Sequence, residues 1–353
     1  MIGVWLDKRI GGIPRWRVCD DGELMRLPEV ATECVCFIRA EWTGQKAKVA
    51  TAFFVAVRLG TEPVDSVFTY AVTARHCLEN DQGELADSVA LSLNLRAGGI
   101  GELDTDPALW VRHSTADVAI LPIGYLNNTR FKFKIWDMRS TAATEFVQER
   151  QIGPGDDVYF SGLLVHHPGR TQIQPIARIG NIAAMPVDPI QLTTGEDTVA
   201  LVEARSVGGL SGSPVFLHLP FFRDQPEGIM TIVVSPGGAN ADSGGDSRLF
   251  GVMHGFYPVR QNDPDHVSGG DENLNTGIAV VVLVDRILEL LNKSDQVRER
   301  DDMKKRFEEA TQSVPIPTST EPDTIAATAD LLKELLGVSK DDIEDVHKGH
   351  DQA

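Results

Sequence analysis

Three short segments hold residues whose types and order suit acyl transfer. Tyr70–Leu78 reads Tyr-Ala-Val-Thr-Ala-Arg-His-Cys-Leu, an apolar strand that delivers His76 at its end. Ser114–Pro122 sets Asp117 directly before the apolar run Val-Ala-Ile-Leu. Val207–Phe216 reads Val-Gly-Gly-Leu-Ser-Gly-Ser-Pro-Val-Phe and presents Ser211 in a turn of small residues. Taken singly, a strand-end His is ordinarily structural, an Asp can cap a turn, and a Gly-Ser stretch is a common turn. In the chain order His, Asp, Ser they fit one another. Acyl transfer needs a hydroxyl nucleophile, an imidazole to take its proton, and a carboxylate to hold that imidazole in the right tautomer. It also needs two donors for the tetrahedral oxyanion, which the N–H groups of Gly209 and Ser211 can supply. An Asp at the edge of an apolar strand must itself find a partner, because an unpaired desolvated charge is expensive.

The three segments resemble those of the trypsin-like, chymotrypsin-fold serine peptidases. Thr-Ala-Arg-His76-Cys looks like that family's Thr-Ala-Ala-His-Cys, and Asp117-Val-Ala-Ile-Leu looks like its Asp-hydrophobic-Ala-Leu. Gly209-Leu-Ser211-Gly-Ser-Pro214 looks like its Gly-Asp-Ser-Gly-Gly-Pro, with support from Thr51-Ala-Phe-Phe-Val55 and Phe250-Gly-Val-Met-His-Gly255. The resemblance spans residues 31–293. It implies two six-stranded antiparallel β-barrels meeting at a cleft, with Ser211 as nucleophile, His76 as general base and then acid, and Asp117 as its orienting carboxylate. It implies a protein or peptide substrate, and no cofactor or metal.

The departures from the family pattern are informative. Leu210 stands where activated zymogens carry the Asp that pairs with a freed N-terminal amine, so that activation switch is not expected. Cys77 lacks the nearby upstream Cys that pairs with it in secreted members. The Ser211 segment is especially similar to the Gly-Gly-Asn-Ser-Gly-Ser-Pro-Val-Phe of bacterial glutamyl endopeptidases. That branch binds an acidic side chain through a His and a hydroxyl. Arg205, Ser206, His254 and Gly255 fall near the corresponding pocket walls, with His254 one residue out of register; the plainer alternative is that His254 is a strand residue and Arg205 a surface charge.

The elements that must position these residues read as short β-runs separated by turns, an all-β texture. Expected strands are Val35–Arg39, Ala50–Val57, Val67–Thr73, Val89–Asn94, Val118–Pro122, Asp157–Leu164, Gln172–Ile182, Thr198–Val202, Pro214–Leu219, Thr231–Val234, Leu249–Gly255 and Gly277–Val284. Ser235–Ser247 and Tyr257–Thr276, rich in Gly, Asp and Asn, read as long polar loops whose spacing lacks the alternation of an EF-hand. The pattern then changes to helix over Asp285–Asn292 and Asp295–Gln312. A linker with three prolines at Val314–Pro322 and a short amphipathic helix at Ile325–Leu336 follow. The expected organisation is an N-terminal extension (1–30), a peptidase domain with a C-terminal helix (31–293), and an appended helical tail (294–353) suited to a regulatory partner.

Composition removes several other classes. The 353 residues are 42% hydrophobic and carry a formal net charge of -18, from 33 Lys and Arg against 51 Asp and Glu. Such a chain repels phosphate backbones and anionic lipid, which argues against nucleic-acid and membrane partners. The first twenty residues are interrupted by charges and do not read as a signal peptide. Ile278–Val284 is far shorter than the roughly 20 apolar residues of a membrane helix. Four cysteines are too few for a disulfide scaffold, and Cys34-Val-Cys36 lacks a second ligand pair for zinc; buried thiols in a reducing, cytoplasmic compartment fit better. α/β-Hydrolase esterases order their triad Ser, acid, His, the reverse of this chain. The remaining rival is a catalytically silent trypsin-like domain used for binding or signalling.

Overall fold

The computed structural model describes residues 3–10, 13–19, 27–60, 66–124, 130–164, 169, 171–185, 187–192, 195–204, 209–220, 222–224, 230–232, 245–258 and 275–313. The chain divides into two compact units: residues 1–56 with 69–290, and residues 57–68 with 291–353.

In the first half of the chain the strands are β1 (Gly3–Ile10), β2 (Ile13–Cys19), β3 (Val35–Glu41), β4 (Lys48–Arg58), β5 (Val67–Thr73), β6 (Ser88–Leu95), β7 (Ile100–Thr105), β8 (Val111–Arg112), β9 (Ala119–Gly124), β10 (Phe131–Lys132) and β11 (Trp136–Asp137), with helix α1 at Glu29–Glu33. After helix α2 (Thr144–Glu149) come β12 (Asp157–Gly162), β13 (Ile176–Ala184), β14 (Ile190–Leu192), β15 (Gly195–Asp197), β16 (Val199–Glu203), β17 (Pro214–Pro220), β18 (Phe222–Asp224), β19 (Met230–Ile232), β20 (Gly245–Pro258) and β21 (Asn275–Leu283). Helices α3 (Val284–Leu291) and α4 (Ser294–Ser313) follow.

The protein is mostly β. Strands β12, β13, β16, β21, β20 and β17 close a six-stranded barrel, every pair of it antiparallel. The first half forms a nine-stranded sheet ordered β10-β6-β3-β4-β5-β9-β8, with β7 on β6 and β11 on β4. The β11–β4 pair is parallel, Trp136 opposite Val55, which the all-antiparallel expectation did not include. Each of the twelve expected strands is present. The sequence reading placed no strand at the β1–β2 hairpin, β7, β8, β10, β11, β14, β15 or β18. The expected loop Ser235–Ser247 gives way to β20 at Gly245, where Asp246 and Ser247 are buried against the facing strand β17.

Why the strands sit where they do follows from their burial. β4 is buried without interruption from Ala50 to Ala56, so its apolar run Ala-Phe-Phe-Val is covered on both faces. In the barrel Val158 and Phe160 of β12 and Val215 and Leu217 of β17 point into the core, together with Phe250, Met253 and Leu210. The alternate residues Tyr159 and Phe216 face outward yet are fully buried, stacked 5.1 Å apart, with Trp136 4.4 Å from Phe216. Trp136, on strand β11 of the first sheet, therefore fastens that sheet's last strand onto the barrel wall, and the bonds of Ala142 N–H to Leu249 O and of Leu249 N–H to Ser140 O fasten the residues that follow it.

α3 buries Val284, Ile287 and Leu290 on one face. The other unit holds α4, whose span matches the expected Asp295–Gln312 helix; Arg300 Nη1 donates to Leu291 O at 2.7 Å. No helix of the described residues is long and apolar enough to cross a membrane. The expected linker and terminal helix beyond Val314, and most of the loop Tyr257–Thr276, lie outside the described residues.

Candidate active site

β5 ends at Thr73, and Ala74 leads in extended conformation into a single 3₁₀ turn, Arg75–Cys77. That turn lifts His76 off the sheet and leaves its side chain 30% exposed. β8 and β9 form a hairpin whose connecting loop carries Asp117, closed by His113 N–H donating to Val118 O. The loop is shaped by His113, a residue the sequence reading passed over. Its Nδ1 accepts from the N–H of Ala116 at 2.9 Å and of Thr115 at 3.2 Å, so Nε2 carries the proton and donates to Glu289 Oε2 at 2.7 Å. Arg75, next to His76, donates through Nη1 to His113 O and Ser114 O, tying the two segments together.

Asp117 is fully buried and accepts three hydrogen bonds. His76 N–H reaches Oδ1 at 2.8 Å, His76 Nδ1 reaches Oδ2 at 2.7 Å, and His254 Nδ1 reaches the same Oδ2 at 2.5 Å. Burial alone raises a carboxyl pKa. Here the charge of His76 and the bonds from both histidines outweigh it and hold Asp117 well below the usual carboxylate range. Burial lowers His76, but Cys77 and Asp117 oppose it, and its pKa sits well above the usual 6.5. Cys77 Sγ lies 3.8 Å from His76 Nε2.

Ser211 stands at the tip of the turn before β17. Gly209 (φ 95°) and Gly212 (φ 80°) both adopt the left-handed region that favours glycine. A Cβ on Gly212 would lie 2.1 Å from Thr51 O and 2.4 Å from Thr73 Oγ1, so a side chain there is excluded as well as strained. Thr51 of β4 holds the turn: its N–H donates to Ser211 O at 3.0 Å and its hydroxyl to Gly209 O at 2.8 Å. Ser213 N–H bonds Leu210 O, so the carbonyl of the Leu210–Ser211 peptide points along the turn and the Ser211 N–H points the opposite way. Leu210 itself is buried in the barrel core. The Ser211 hydroxyl donates to the main-chain carbonyl of His254 at 3.0 Å.

His254 is the extra residue of a β-bulge: Met253 faces Val281 and Gly255 faces Val280, leaving residue 254 without an opposite number. Bulges re-aim side chains, and this one turns the imidazole onto Asp117. Expected on a pocket wall, His254 thus has Nδ1 committed to Asp117, leaving Nε2 for any other partner. Gly255 follows it with open space where a Cβ would stand. Arg205 and Ser206, the other expected pocket residues, lie outside the described residues.

No family model and no curated protein matches the chain. Among solved structures it is similar to the MamO protease domain from Magnetospirillum magneticum, at 13% identity over 75% of this chain and 99% of that one, TM-score 0.43. It is also similar to the protease Anisep from Arthrobacter nicotinovorans, at 16% identity over 75% and 96%, TM-score 0.42. A third is the HtrA-type protease AlgW with tripeptide, at 16% identity over 74% of this chain and 59% of that one, TM-score 0.40.

Proposed function

We propose that the protein is a serine endopeptidase of trypsin-like mechanism, with residues 31–293 as its peptidase domain. The observation that carries the reading is the pair of bonds from His76 to one buried carboxylate, N–H to Oδ1 at 2.8 Å and Nδ1 to Oδ2 at 2.7 Å. With Nδ1 fixed as the donor, Nε2 is the basic nitrogen, the tautomer required to take a proton from a hydroxyl. In this reading Ser211 Oγ attacks the scissile carbonyl and gives its proton to His76 Nε2. Asp117 stabilises the resulting imidazolium, which then protonates the leaving amine; water repeats the sequence to release the acyl group. The N–H groups of Gly209 and Ser211 receive the oxyanion, each worth on the order of 3 kcal/mol. A preference for acidic side chains, through Arg205, Ser206 and His254, belongs to the same proposal and is read by substrate profiling.

The contact of the Ser211 hydroxyl with His254 O favours a second reading, in which the domain is silent until a partner or substrate turns the hydroxyl toward His76. Such bonds commonly tighten only when substrate is bound. Fluorophosphonate labelling of the purified chain, located by peptide mass spectrometry, decides between the two. Modification at Ser211 that disappears in Ser211→Ala and His76→Ala supports the peptidase. Absence of labelling in the full chain and in a chain ending after Asn292 supports the silent domain.

A further inference from the structure

Among the described residues, one group of three metal-ligating side chains has its ligand atoms within 4.8 Å of one another: His76, Asp117 and His254. Two imidazoles converge through Nδ1 on the single oxygen Oδ2 of a carboxylate that solvent does not reach. Their rings meet edge to face, 5.2 Å between centroids at 70°, so the two Nδ1 atoms approach Oδ2 from different directions. A catalytic dyad uses one imidazole on its carboxylate; the second is what the proposed chemistry does not require.

We infer that this group is a zinc site that switches off the nucleophilic centre read above. Two neutral nitrogens and one carboxylate oxygen are a ligand set that zinc takes readily, with a water in its fourth position. Arms of about 2.0–2.1 Å place the ligands of a tetrahedral ion roughly 3.3 Å apart. Atoms now 2.5 and 2.7 Å apart across their hydrogen bonds must therefore draw back by less than 1 Å each, a distance small for side-chain rings. Of the three side chains His76 is the most open to solvent, 30% accessible, with His254 at 11%.

The exchange balances without any further reagent. A hydrated zinc ion loses three waters and keeps one. In each neutral ring the proton leaves Nδ1 and, through solvent, returns at Nε2, while the carboxylate keeps its charge. A ring that is imidazolium beforehand releases one proton to solvent. The consequence falls on Ser211: His76 Nε2 now carries hydrogen and cannot accept the hydroxyl proton. Forcing the wrong tautomer on a triad histidine costs about 10⁴-fold in turnover.

The inference extends the peptidase reading, and the experiment separates the failure of either. Cobalt, a spectroscopic stand-in for zinc, is titrated into the full chain, into His254→Ser and into Cys77→Ser, with circular dichroism checking that each is folded. The expected result is one tetrahedral cobalt without a thiolate charge-transfer band, bound equally by Cys77→Ser and more weakly by at least tenfold in His254→Ser, since loss of even an outlying partner costs about 10- to 100-fold in affinity. Zinc should suppress fluorophosphonate labelling of the same sample over the same concentration range. A thiolate band lost in Cys77→Ser would place the metal between Cys77 Sγ and His76 Nε2 and overturn the proposal, as would unchanged affinity in His254→Ser. Should His254→Ser not fold, zinc-edge X-ray absorption on the unaltered chain decides: two imidazoles and no sulfur support the site, and any sulfur overturns it. A correct cobalt spectrum in a chain that never labels supports the metal site and removes the peptidase reading instead.

Discussion

Thr51 N–H donates to Ser211 O at 3.0 Å, bonding the centre of a strand of the first sheet to the peptide of the candidate nucleophile in the barrel half of the chain. The Thr51 hydroxyl completes the link, donating to Gly209 O and accepting from Leu163 N–H at 3.1 Å. Thr51→Val keeps the shape and the main-chain bond but leaves those two buried groups unpaired. It should lower stability by about 1–3 kcal/mol and slow labelling at Ser211, with Thr51→Ser recovering both. Denaturant unfolding measures the first effect, and a valine variant as stable as the parent would refute the link.

Gly212 admits no side chain. Gly212→Ala combines a collision at 2.1 Å with a φ of 80°, and the strain alone is on the order of 1–3 kcal/mol. We expect the loop to shift and Ser211 labelling to be lost while the far end of the barrel stays folded. Hydrogen exchange should localise the loosening to residues 209–213, and parental labelling rates in the variant would contradict this account.

His113→Phe removes the acceptor for two loop N–H groups and the donor to Glu289, with the ring volume retained. The loop that carries Asp117 should lose about 1–3 kcal/mol of local stability. The reciprocal change Glu289→Gln keeps a hydrogen-bonding partner and should be milder. A His113→Phe protein with unaltered unfolding would show that the loop is held by its main-chain bond, by Arg75 and by the contacts of Asp117 without the imidazole.

His218 is buried on β17, and desolvation pulls its pKa below 6.5 against the opposing charges of Asp157 and Asp246. The unfolded chain then binds the extra proton first. The stability associated with His218 is present above pH 6.5 and is lost as pH falls through the depressed folded value. His218→Gln should flatten this part of the stability profile between neutral and mildly acidic pH; an unchanged slope would remove His218 as its source.

Cys34 has no exposed surface, and burial pushes its thiol up to about 12; burial raises its neighbour Cys36 as well. Neither should react with iodoacetamide in the native protein at neutral pH, whereas both should react in denaturant, since the thiolate is the nucleophile. Mass spectrometry of alkylated peptides reads the contrast.

The strands that position the site were legible because their signals are local. Val67–Thr73 is an apolar run ended by a polar turn, and the small residues around Ser211 mark the turn before β17. The short strands β8, β10 and β11 were not, since two-residue ladders exist only through partners elsewhere in the chain. His113 escaped for a related reason: its role is to accept main-chain bonds, which any sequence pattern leaves silent. His254 is expected on a pocket wall, one residue out of register with the family pattern, and no local signal announces its bond to Asp117. The bulge at β20 inserts a residue against β21, and the shift that it introduces is a property of the pairing, not of either strand by itself.

The Thr51 link joins positions 158 residues apart, and the His254–Asp117 link joins positions 137 apart. Such distant pairings are slow to close, because the entropy of the intervening chain is lost before the contact rewards it. During synthesis His76 and Asp117 emerge long before Ser211 and His254. A nascent chain therefore carries His76 and Asp117 without their hydroxyl partner until the last barrel strand, Asn275–Leu283, leaves the ribosome, so the centre matures only after the barrel has been made.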